Sequence, residues 1–231
     1  GFIRSNDTNL GMHNRVESTA PEVDLYRIPL QYITDYKEGV SIPEQVEAVC
    51  KGGCRWVQLR MKEADREEFI RVGRTVKEIC KRHGALFLVN DNVDIAKAMD
   101  ADGVHVGQDD MAALDARAKL GPDKLIGVSA HTVEEALLAE KQGADYLGVG
   151  AVFPTSSKSD VGEMSYETLK AICKAVSIPV VAIGGISGEN VGKLAGSGIC
   201  GVAVISAIYA AKDVKAAAAD LKTTVKEMLR A

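Results

Sequence analysis

Short apolar runs alternate with longer amphipathic ones from about residue 30 to the end of the chain. The short runs fall at 30–35, 56–61, 86–91, 103–108, 125–130, 146–153, 179–186 and 201–208. Their length and their content of Val, Ile and Leu predict eight β-strands. Between them the spacing of apolar residues predicts helices over 42–51, 65–82, 132–142 and 166–176, and a last one over 213–230. Thr132-Val-Glu-Glu135 fits a capping box. Gly143 and Gly84 stand where helices end on a left-handed residue. Pro179 opens a strand, a position that tolerates a missing N–H. Strict β–α alternation implies a parallel sheet with right-handed crossovers. Eight such units, at roughly 20–30 residue spacing, favour closure into a (β/α)8 TIM barrel over an open doubly wound sheet. The expected layout is a polar, poorly ordered extension over 1–24 and one barrel domain over 25–231.

Composition narrows this picture. Of 231 residues, 46% are hydrophobic but only 5% aromatic, so the core is built from Val, Ile, Leu and Ala, as parallel sheets favour. The net charge of −4 and the lack of a long basic tract argue against nucleic acid or an acidic membrane surface as partner. The five cysteines are odd in number and form no Cys-x-x-Cys, so they read as buried, reduced thiols of a cytoplasmic protein. No apolar run is long enough to span a bilayer, and residues 1–24 lack the apolar core of a signal peptide. Gly1 in place of Met reads as a processed start or an expression remnant. The partners expected are small molecules, and a homo-oligomer stays open.

In such a barrel the chemistry collects at the C-terminal ends of the strands. Val57, Leu59 and Met61 alternate with Gln58, Arg60 and Lys62, which puts three polar side chains on one face at the mouth. Arginine grips a phosphate with two N–H groups and lysine adds a compact charge, so this face reads as an anion site, with a ring of rim salt bridges as the alternative. The third strand ends on Asn90 and Asp91, and the fourth runs into Asp109 and Asp110. Each Asp alone would serve as a helix cap. Two carboxylates beside an anion site instead suggest Mg2+. His105, inside the fourth strand, is equally a core residue or a pocket residue. Ser129 ends the fifth strand as a ligand donor or a local turn former. The segment 153–162 carries hydroxyls at Thr155, Ser156, Ser157 and Ser159 with Lys158 between them, and can close over a ligand. Gly184 and Gly185 after the seventh strand and Ser206 after the eighth fall where these barrels bind phosphate.

Taken in order, these segments resemble the thiamin phosphate synthase (thiamin-phosphate pyrophosphorylase) family. The likeness runs from about Leu30 to Ile208. It is carried by Gln58-Leu-Arg-Met-Lys62, Asn90-Asp-Asn-Val-Asp-Ile-Ala96, Ala101-Asp-Gly-Val-His-Val-Gly-Gln-Asp-Asp110, Gly148-Val-Gly-Ala-Val-Phe-Pro-Thr-Ser-Ser-Lys158, Ala182-Ile-Gly-Gly-Ile186 and Val204-Ile-Ser-Ala207. The resemblance implies a transferase of thiamin biosynthesis. It would join 4-amino-2-methyl-5-(diphosphooxymethyl)pyrimidine to a 4-methyl-5-(2-phosphoethyl)thiazole, or to its carboxylated form, releasing diphosphate. By the same resemblance Gln58, Arg60, Lys62, Asn90, Ser129 and Lys158 hold the pyrimidine diphosphate, with Arg60, Lys62 and Lys158 as the catalytic cations. Thr155, Ser156, Ser157, Gly185, Ile205 and Ser206 hold the thiazole phosphate, and Asp91 and Asp110 hold Mg2+. Two departures stand out. Position 157 is Ser where the family has Thr, and Asp109 adjoins the expected ligand Asp110. Two rivals remain, a thiazole tautomerase-like relative and a non-catalytic sensor of phosphorylated ligands on the same fold.

Overall fold

The computed structural model describes residues 23–108, 111–155 and 163–231. Eight parallel strands form a closed barrel in chain order: β1 Leu30–Ile33, β2 Trp56–Leu59, β3 Leu86–Asn90, β4 Gly103–Val106, β5 Leu125–Ala130, β6 Tyr146–Val149, β7 Val180–Ile183 and β8 Gly201–Val204. Closure is made by β1 against β8, with Leu30 opposite Val202 and Tyr32 opposite Val204. The TIM barrel expected from the β–α alternation is the architecture found.

Strand alternation sorts the side chains into two cores. The outward set, with Leu30, Tyr32, Val57, Leu59, Phe87 and Val89, packs under the helices. The inward set joins Trp56, Leu86, Leu88, Leu125, Tyr146 and Val181 in the barrel lumen. Leu25, on a 3-10 turn at Leu25–Arg27 held by the Asp24 carboxylate, packs into this inner core from the N-terminal end. Residues 1–22 of the expected extension lie outside the described residues, whereas Val23 packs against the inner core.

The surrounding helices are α1 Ile42–Lys51, α2 Arg66–His83, α3 Val93–Ala98, α4 Ala113–Leu120, α5 Val133–Lys141, α6 Tyr166–Ala175, α7 Ser206–Tyr209 and α8 Val214–Arg230. Ser41, Asp65, Asn92, Thr132, Ser165 and Asp213 each cap a helix by accepting from a backbone N–H, a contact worth about 1 kcal/mol. The capping box at Thr132 is displaced by one residue: the Glu135 carboxylate accepts from the N–H of His131. Gly84 ends α2 at φ +68°, and the N–H of Ala85 reaches back to the Cys80 carbonyl. Between β7 and β8 a 3-10 turn at Val191–Leu194 stands where an α-helix would complete the repeat. Behind β5 and β6, Arg117 holds the buried Asp145 at 2.6 Å, while the same carboxylate oxygen accepts from the N–H of Ile126 at 2.8 Å.

The strands stop earlier than the apolar runs suggest. β2 ends at Leu59, β6 at Val149 and β8 at Val204. The residues beyond leave the ladder and build the loops of the C-terminal mouth, where the sequence placed its chemistry.

Candidate active site

A belt of polar side chains crosses the lumen just below the mouth. Asn90 donates from Nδ2 to Gln58 Oε1 at 2.6 Å, and Gln58 donates from Nε2 to Gln31 Oε1 at 2.5 Å. Gln31 in turn lies beside the Tyr146 hydroxyl. That hydroxyl lies 2.8 Å from His105 Nδ1, and His105 Nε2 lies 2.8 Å from Ser129 Oγ. Register explains the assembly: Asn90 faces His105 across β3–β4, and Ser129 faces Gly148 across β5–β6. Glycines make room for the large members. A side chain at Gly127 would run into the Tyr146 ring, and one at Gly148 would come within 2.9 Å of the His105 ring. Burial pushes the Tyr146 phenol well above its ordinary value, against the opposing pull of neighbouring Gln31, so the phenol keeps its proton.

Beside the belt the β1 and β2 ends position Arg60. Thr34, fully buried, accepts from the Arg60 N–H at 2.9 Å and donates to the Arg60 carbonyl at 3.1 Å. Asp35 meets the guanidinium at 3.4 Å. Lys62 is not on the strand but on the following turn, because β2 ends at Leu59. It lines an open cleft with Asn90 and Asp91. Asp91 does not cap α3; that role falls to Asn92, whose side chain accepts from Ile95. Asp91 instead takes a left-handed backbone at φ +65°, a conformation Asp tolerates better than most residues, with its N–H bonded to the His105 carbonyl. The turn directs the chain out of β3 at the cleft.

A second cavity opens on the other side of the mouth. Thr155, Gly185, Ile205 and Ser206 line it together, with Ser129, His131 and Gly184. His131 is held by its Nδ1, 2.9 Å from the Gly150 carbonyl. Ser129 therefore belongs to both regions: it ends the belt and lines this cavity. Ser156, Ser157, Lys158 and Asp110 lie outside the described residues, as does Asp109. Among the described residues no cluster of three or more His, Cys, Asp or Glu side chains has the closeness of a metal site.

Gln31, Thr34, Asp35, Tyr146 and His131 were not singled out from sequence. Gln31 and Tyr146 sit in runs that read as plain apolar strands. Only the strand register reveals that they share the inner face with Gln58 and His105.

A sequence model of the family described as thiamine monophosphate synthase matches residues 30–208. A thiamine-phosphate synthase of Clostridium tetani is 47% identical over 187 residues, covering 81% of this chain and 90% of that protein. The thiamine-phosphate synthase of Pyrococcus abyssi is 44% identical over 203 residues, covering 88% and 97%. Among solved structures, a thiamine phosphate pyrophosphorylase from Pyrococcus furiosus superposes with a TM-score of 0.82 at 41% identity, over 89% of this chain and 98% of that one. A likeness of this length and identity, spanning every strand of the barrel, places the chain in the thiamine monophosphate synthase family.

Proposed function

We propose that this enzyme of thiamine phosphate synthesis binds its two phosphorylated substrates side by side across the barrel mouth and joins them at Ser129. The observation that carries this reading is the position of Ser129 between the belt and the second cavity. The pyrimidine ring lies over Gln58, Asn90 and Ser129, with its diphosphate toward Arg60, Lys62 and Lys158. The thiazole phosphate lies against Thr155, Ser156, Ser157, Gly185, Ile205 and Ser206, and His105 backs the pocket.

Bond breaking between the pyrimidine methylene and diphosphate leaves extra negative charge on the leaving group. Arg60, Lys62 and Lys158 stabilise that charge at the cleft. The thiazole nitrogen attacks with a free lone pair and loses no proton, so no side chain has to act as base. An electron-rich aminopyrimidine shares the positive charge at the methylene, which favours a dissociative path. Electron-withdrawing groups on the pyrimidine therefore slow the reaction, and an acceleration would rule the path out.

The oxygen donors beside Lys62 suit a hard divalent ion, and Asp91 with Asp110 would hold Mg2+. Bound there, the ion supplies positive charge to diphosphate oxygens. The protein works in the cytoplasm on this reading. No described helix is long and apolar enough to cross a membrane.

The test mixes purified protein, both substrates and Mg2+ and follows diphosphate release. Release that requires both substrates and stops on chelation is expected. Binding of the thiazole phosphate without release, or its isomerisation alone, overturns the reading in favour of a sensor or a tautomerase. Asp91→Ala and Lys158→Ala should each lower turnover by about 10²–10³-fold with the fold intact. Near-wild-type turnover in both would remove their assigned roles.

A further inference from the structure

We infer that Gln45, which lies on the buried face of α1 and lines neither the cleft nor the second cavity, is a positioning residue for Arg60. It locks the peptide unit between Asp35 and Tyr36, and that unit anchors the carboxylate facing the guanidinium. The inference rests on the reading above, in which Arg60 grips the diphosphate.

Each bond in the arrangement has a fixed sense. The Asp35 carbonyl can only accept, so the Gln45 end that lies 3.0 Å from it is Nε2, a donor. Gln45 Oε1 is left to accept, and the Tyr32 hydroxyl donates to it at 2.7 Å. Burial holds the Tyr32 phenol well above its ordinary value, so that proton stays in place. Gln45 is 1% exposed and Tyr32 fully buried, so bulk water does not compete for the contact between them. The other half of the same peptide unit faces the site. Its N–H, that of Tyr36, donates to Asp35 Oδ1 at 2.9 Å. Oδ1 is also the oxygen that Arg60 Nη1 meets at 3.4 Å.

Rotation of this peptide plane is what Gln45 forbids. Turned, the carbonyl would leave Gln45 Nε2 and the N–H would leave Oδ1, and the Asp35 side chain, already 34% exposed, could swing into water. A contact of 3.4 Å to Arg60 is too long to hold the carboxylate by itself. Among the described residues Asp35 is the only ion-pair partner of Arg60, and it engages one guanidinium nitrogen. The rest of the planar fork is left for two phosphate oxygens, a grip that depends on the angle of the plane. Thr34 fixes the Arg60 backbone, and Gln45 fixes the far end of its side chain through Asp35, without touching substrate.

Gln45→Met keeps the length of the side chain and loses both bonds. KM for the pyrimidine diphosphate should rise about tenfold, with KM for the thiazole phosphate unchanged. The double variant, Tyr32→Phe with Gln45→Met, leaves no buried hydroxyl without a partner. Its Tm should return toward that of the unmodified protein while the raised KM stays. This variant carries the test if Gln45→Met alone folds poorly. A pyrimidine KM that recovers with Tm, or two KM values that rise together, marks a purely structural role and defeats the proposal. Asp35→Ala supplies a second readout. On that background Gln45→Met should add nothing to the pyrimidine KM, because its route to Arg60 is already gone, and additive effects overturn the inference. Arg60→Ala tests the reading underneath. If it leaves the pyrimidine KM unchanged, the subsite assignment itself falls. If it raises that KM while Gln45→Met does not, only the positioning role falls.

Discussion

Arg60 shows how one functional side chain is held from two directions. Its guanidinium meets Asp35 at 3.4 Å with only 15% of the side chain exposed. Its backbone is pinned by the Thr34 hydroxyl, which both accepts from the Arg60 N–H and donates to the Arg60 carbonyl. Those two bonds carry the β1–β2 pairing one step past the end of the strands. Thr34→Val keeps the shape and removes both. A part-buried N–H and carbonyl then lose their partners, at a cost of about 1–3 kcal/mol. Urea unfolding should show that loss, and, with Arg60 gripping the diphosphate as proposed, kcat/KM for the pyrimidine diphosphate should fall about tenfold. Unchanged stability and kinetics would mean that Asp35 alone positions Arg60. The arginine was readable from the period-2 pattern of 57–62, but its supports were not. Thr34 and Asp35 close the first short run, and their bearing on Arg60 appears only once β1 and β2 lie side by side.

Among the elements, the turn after β7 is tightly constrained. Gly184 and Gly185 both take positive φ, +105° and +63°. The chain leaving β6 runs against them: Val152 bonds to the Ile183 carbonyl at 3.0 Å and Phe153 to the Gly184 carbonyl at 3.1 Å. A Cβ at Gly185 would press on the Pro154 carbonyl and on Phe153. The double glycine, read as room for a phosphate, lines the second cavity, and its backbone also meets the protein's own loop, the one that carries Thr155. Gly185→Ala should therefore act on the loop. It should destabilise the protein by about 1–2 kcal/mol through the left-handed backbone and raise KM for the thiazole phosphate, with the pyrimidine KM little changed. A rise in both KM values together would place the damage elsewhere in the mouth. Helix legibility follows the same logic of local versus distant cause. The long α1, α2, α6 and α8 carry apolar stripes and were read to within a residue or two, as was α5, which buries only Ala136 and Ala139 but starts on the Thr132 capping signal. α4 buries only Ala113 and Ala116, and six-residue α3 offers barely two turns, so neither leaves a periodic trace.

At the scale of the whole molecule, counting β–α units sufficed to anticipate closure, because eight units are what a parallel barrel needs. Closure then converted strand-end residues into neighbours, which is why Asn90, Asp91, Ser129, Gly185 and Ser206 could be placed at one mouth before any coordinates. The lumen was less readable, since whether Gln31 and Tyr146 point in or out depends on register with strands far away in sequence. Closure also has a consequence for the cysteines. All five are free. Cys54 lies in the shell between barrel and helices, and Cys200 in the lumen core. Burial pushes both thiols up to about 12, and that of the half-buried Cys173 to about 11. Only thiolates attack a disulfide-based thiol reagent, and Cys50, whose thiol neighbouring Cys80 pulls below its ordinary value, is fully buried, so the native protein should react slowly, Cys173 first. A closed barrel has no edge strand to peel away. Parting one strand pair wets the lumen and the helix-facing shell at once, so Cys54 and Cys200 should become reactive over the same range of urea. Release of Cys54 at distinctly lower urea, with Cys200 still protected, would instead show the helical shell detaching from an intact barrel.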